Sequence, residues 1–196
     1  MHTSLAVVHD EHRSIAAVLH GLRHLAKLAS EATVRPDFQV FAAMIYYIDA
    51  FPEKQHHPKE DAFLFAALAR RKPAAAALVE SLRDEHVQSL ARVRELEQAL
   101  LRYEATWPEG GQAFVEVVGR YCEFQWAHMR KEEQDLIPQL EGCLTAQDWA
   151  EIDGAFAANE DPLSGARAAQ EDFPGLFSRI VNLAPAPIGL GKAWTR

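Results

Sequence analysis

Two short stretches hold the residues best suited to chemistry. In HHPKEDAFLF (56–65) and HMRKEEQDLI (128–137), a histidine precedes a glutamate by four residues, giving the pairs His56/Glu60 and His128/Glu132. Residues four apart share one face of a helix, so each pair presents an imidazole and a carboxylate side by side. Upstream, DEHRSI (10–15) and DEHVQSL (84–90) repeat one another and supply His12 and His86. His12 and His56 are 44 residues apart and His86 and His128 are 42 apart, so each half of the chain repeats one hairpin plan. Imidazole and carboxylate together are ligands for divalent cations.

The elements that must position these groups are helices. Ala, Leu, Glu, Arg and Gln abound, and no strand-like alternation persists. A first helix is expected from a cap at Thr3 or Ser4 to about residue 30, with Leu5, Val8, His12, Ile15, Leu19 and Leu22 on its apolar stripe. A second should run from a cap at Asp37 to about 71, kinked at Pro52 and Pro58. A third is expected over about 74–105, and a fourth over about 111–140, ending around Pro138 and Gly142. The short connections predict an all-α, up-down-up-down four-helix bundle over 1–144. Residues 145–196 read as an extension packing on it: a short helix near 146–158 opened by the TAQD capping box, a loop at NEDPLSGA, a helix or turn in EDFPGLFSRIVNL and an irregular tail.

With a rise of about 1.5 Å per residue, His12 and His56 fall at one height, His86 and His128 at another close to it, and all four can share a layer. Glu60 and Glu132 join that layer. Unpaired polar groups buried in an apolar interior cost a few kcal/mol each, and charges cost more. A pair of divalent cations compensates, with the carboxylates bridging ions about 3.5–4 Å apart and the imidazoles as terminal ligands.

The bulk numbers exclude other classes. A net charge of −8 with no basic stripe argues against a nucleic-acid or anionic-membrane surface. No secretory signal or transmembrane span is legible, so a cytoplasmic location is expected. Cys122 and Cys143 lack a CxxC spacing and read as free thiols. Zinc-hydrolase HExxH spacing, a glycine-rich phosphate loop and a nucleophile elbow are missing, and the ExxH pattern of ferritin-like bundles fails at Gln125.

The ordered set H…HxxxE…H…HxxxE resembles the hemerythrin-like (HHE cation-binding) domain family over roughly 5–142. The resemblance implies a non-haem di-iron centre with His12, His56, Glu60, His86, His128 and Glu132 as ligands, and a bridging oxide or hydroxide. Oxygen-carrying members have a second histidine four residues from the first on the third helix, where this chain has Leu82 and Leu90. They also space the fourth-helix acid by five residues, so Glu133 competes with Glu132. One imidazole fewer is therefore expected. The implied function is sensing, binding or detoxifying oxygen, nitric oxide or peroxide, or handling iron; the alternative is a di-iron oxidoreductase that activates oxygen or reduces peroxide. His9 is a candidate substitute for His12 or a supporting group, while His57, Asp61 and Glu133 are expected to be solvated or supporting.

Overall fold

Apolar residues at three- and four-residue steps set the first helix. In the computed structural model, which describes residues 2–157 and 175–194, α1 (Thr3–Ser30) buries Leu5, Val8, Ile15, Leu19, Leu22 and Leu25. Neither Thr3 nor Ser4 caps it with a side chain. Instead Ser4 N donates to Asp153 Oδ1 at 2.8 Å, so an acid from a later helix satisfies this end.

Asp37 does cap the next helix, accepting from Gln39 N at 3.0 Å. The second rod then departs from regular α geometry: α2 (Phe38–Ile48) passes into a π-helical segment (Asp49–His56), α3 (His57–Lys59), a second π segment (Glu60–Phe65) and α4 (Ala66–Arg71). Pro52 lies inside the first π segment and Pro58 in the first turn of α3. Both prolines thus coincide with a change of helical register, which accommodates their missing N–H groups. A 3₁₀ turn (Pro73–Ala75) leads into α5 (Ala76–Thr106). The fourth rod comprises α6 (Gly111–Lys131), a π segment (Glu132–Leu136) and α7 (Ile137–Cys143). Pro138 does not end this rod; it sits in the first turn of α7, where proline is tolerated.

The rods pack in a ring, α1 on α6, α6 on α5, α5 on α2 and α2 on α1. The fold is all-α, and the described residues include no strand beyond an isolated bridge between Pro185 and Gly191. α8 (Ala146–Phe156) opens on the expected capping box: Thr145 Oγ1 accepts from Asp148 N at 3.3 Å and Thr145 N donates to Asp148 Oδ2 at 2.9 Å. Asp148 also accepts from Arg70 and Arg71, which ties α8 to the end of α4. α9 (Leu176–Leu183) lies on α2, and Trp194 is buried beside the Phe41 ring. The loop expected at 159–166 and the start of the 171–183 segment lie outside the described residues. No described helix is long and apolar enough to cross a membrane.

The core has two parts. One gathers Leu19, Leu22, Phe41, Tyr47, Phe51, Phe114 and Val118; the other gathers Leu5, Leu64, Phe65, Leu68, Leu82, Leu140 and Trp149. Between them lies a layer that is polar and yet buried.

Candidate metal centre

All six residues singled out from the sequence meet in that layer. His12, His56, Glu60, His86, His128 and Glu132 range from fully buried to 8% exposed. Two sets of donor atoms emerge, each within 4.8 Å of one another: His12, His56, Glu60 and Glu132, and His57, Glu60, His86 and His128. Each set has the residue types and spacing to hold a metal ion.

The carboxylates stand between the sets. Glu60 Oε1 lies 3.3 Å from His56 Nε2 and 3.9 Å from His12 Nε2, while its Oε2 lies 3.6 Å from His86 Nε2. Glu132 Oε2 lies 3.3 Å from His12 Nε2, and its Oε1 lies 3.4 Å from His128 Nε2 and 3.9 Å from His86 Nε2. Each acid therefore turns one oxygen to each set. Of the two competing acids, Glu132 has its side chain 1% exposed inside the layer, and Glu133 has its side chain 42% exposed outside it.

His57 is the residue the sequence reading misplaced. The sequence sets it on a different bearing from His56, but the matching residue of the fourth rod, Met129 on regular α-helix, is also buried, so this bearing turns inward in both halves. His57 is 4% exposed, and its ring stacks on that of His86 at 4.2 Å between centroids. The layer thus contains five imidazoles, His12, His56, His57, His86 and His128, rather than the four expected.

An outer ring of acids orients these rings. His56 Nδ1 donates to Glu11 at 2.7 Å, His128 Nδ1 to Glu85 at 2.9 Å, His12 Nδ1 to Glu133 at 3.0 Å and His86 Nδ1 to Asp61 at 3.2 Å. A carboxylate only accepts, so each Nδ1 carries a proton and each Nε2 faces the centre. The ring follows the repeat: Glu11 and Glu85 precede the first histidine of each half, and Asp61 and Glu133 follow the motif glutamates. Their duplication was the signal available in the sequence. His9, 38% exposed, approaches Glu133 at 3.5 Å and stays outside the layer.

Without a cation the layer is poorly satisfied. Both carboxylate oxygens of Glu60 and of Glu132, and His12 Nε2, are buried without a hydrogen-bond partner, and His86 Nε2 faces His128 Nε2 at 3.1 Å. Protons substitute for positive charge in part. Burial and the nearby Glu132 hold the Glu60 carboxyl well above the usual carboxylate range. Burial opposes a charge on His12, but Glu132 and Glu133 outweigh it and raise its pKa to about 9. For Glu132, burial is likewise outweighed, by His128 and His12, and its pKa falls to about 2. The orphaned atoms and the imidazole and carboxylate donors fit cation binding through oxygen and nitrogen.

A surface cleft of about 360 Å³ reaches the His12 side, lined by Ala16, Trp126, Met129 and Glu133, among others. Cys122 and Cys143 are free, as their spacing implies.

Comparison with known proteins agrees with this geometry. No curated protein matches the chain. The family model for the hemerythrin HHE cation-binding domain matches residues 3–140, which include every residue of both donor sets. The chain belongs to the hemerythrin family of HHE cation-binding domains.

Proposed function

We propose that the protein is a non-haem di-iron binding protein, an up-down-up-down four-helix bundle that holds two iron ions in the buried layer and meets a small ligand there. His12 and His56 would hold one ion, and His57, His86 and His128 the other. Glu60 and Glu132 would bridge them, with an oxide or hydroxide from solvent completing the centre. The observation that carries this reading is the convergence of five inward-facing imidazoles on two carboxylates whose four oxygens are buried without partners.

The bound pair would supply redox-active, ligand-accepting iron. The chain's own contribution is to orient each imidazole through an outer acid, to keep bulk water from the layer with the two apolar zones, and to leave the two sides unequal. The His12 side has two imidazoles and the His57 side three, so the former has room for a further ligand. That side also faces the cleft lined by Ala16, Trp126 and Met129. Oxygen, nitric oxide or peroxide are the ligands of suitable size and chemistry. The role is sensing, binding or detoxification in the cytoplasm.

The test is optical. Protein loaded anaerobically with ferrous iron should change its absorption spectrum on adding oxygen or nitric oxide, and recover when the gas is removed. Sustained consumption of oxygen or peroxide with a reductant would instead favour the oxidoreductase reading. No spectral response to any of these ligands would contradict both.

A further inference from the structure

His57 differs from the other four imidazoles in one respect: its Nδ1 is buried with no hydrogen-bond partner. Glu53 Oε2, four residues earlier on the same rod, lies 3.4 Å from it. Glu53 is itself held. Its other oxygen accepts from Ser89 Oγ on α5, and Ser89 Oγ accepts from Gln125 Nε2 on α6 at 2.5 Å. The second N–H of Gln125 reaches Tyr121 Oη at 2.9 Å. The result is a polar arm crossing three rods through an otherwise apolar zone, with Tyr121, Ser89 and Gln125 each no more than 2% exposed.

Such an arm is costly to bury and gains nothing by merely filling space. The repeat shows what is particular about it. The counterpart of His57 in the second half is Met129, and the counterpart of Glu53 is Gln125, so carboxylate and imidazole occur together in one half and are absent together from the other.

We propose that Glu53, fixed by Ser89 and Gln125, is the positioning residue that makes His57 a metal ligand. It accepts the Nδ1 proton, which leaves the Nε2 lone pair directed at the second ion. This rests on the two-iron reading above and adds to it the group that recruits the unrepeated imidazole.

The test uses full-length protein loaded anaerobically with ferrous iron, with iron per chain and the rate of iron release to a chelator as readouts. E53M keeps side-chain bulk without an acceptor; it should speed release of one ion by about 10- to 100-fold, as expected for loss of an outer-shell partner, and leave the other ion slow. E53Q retains an oxygen for Nδ1 and should restore slow release, a rescue that a purely space-filling role would not produce. H57A should match E53M, and the double variant should be no faster than H57A alone. Should E53M not fold, S89A removes only the hydroxyl that holds Glu53 and should speed release severalfold. Wild-type release rates in E53M, or in S89A where E53M is not folded, would overturn the proposal, as would independent effects of E53M and H57A. A wild-type chain that never takes up two irons would instead overturn the reading beneath it.

Discussion

The second and fourth rods begin from the same plan and end differently. Each has HxxxE, and each changes to a π segment at the motif glutamate, Glu60–Phe65 in one and Glu132–Leu136 in the other. The fourth rod is regular α-helix up to that point, whereas the second has an additional π segment at Asp49–His56. The matching residues His57 and Met129 are both buried, but His57 brings an imidazole to the layer where Met129 brings only an apolar side chain. A duplicated hairpin thereby yields two unequal sets of donor atoms. The shared residues make the layer, and the unshared His57 makes its two sides distinct.

The bridging glutamates should give the largest effects. Because Glu60 and Glu132 each turn an oxygen to both sets, E60A or E132A should lose both ions, whereas H12A should retain the ion on the His57 side. Metal analysis after gel filtration distinguishes these outcomes, and equal losses in all three variants would break the proposed asymmetry. The two rods can be compared directly through H57A and M129A. H57A should weaken retention of one ion, and M129A should leave iron content unchanged.

A further prediction concerns protons. In the metal-free chain at neutral pH, His12, with its pKa raised to about 9, is protonated, and burial and the nearby Glu132 shift Glu60 toward its protonated form. Loading iron at pH 7 should therefore release the ligand protons together with those of the solvent molecule that becomes the bridge, and retention should fall as pH drops and protons compete for the same atoms. Calorimetry in buffers of different ionisation enthalpy counts them. Loading with no proton release would contradict the arrangement. The smallest effect is expected far from the centre: T145A removes the cap of α8 and should cost about 1 kcal/mol of stability, with iron content unchanged.

Much of the centre was legible because the repeat and the rise of a helix are enough to bring His12, His56, His86 and His128 to one level. The glutamates followed from their four-residue spacing. His57 was not legible, because a regular helical step separates adjacent histidines by about 100° and spacing alone does not show how wide the buried face is. The signal was indirect: Glu53 four residues before His57. Asp61 and Glu133 were expected as supporting groups, but Glu11 and Glu85 were hidden for another reason. Glu11 adjoins His12 in the chain but orients His56 on a neighbouring rod, so its partner depends on packing rather than on local pattern. In the same way the cap expected from Thr3 or Ser4 is supplied by Asp153, nearly the length of the described chain away.

The central claim is that this layer exists to hold two cations. Elemental analysis of protein purified without added metal or chelator, with protein concentration from amino-acid analysis, tests it most directly. The account predicts two iron ions per chain in the wild type and none in E60A. Wild-type protein that folds with no metal, or that holds as much iron after E60A as before, would contradict it.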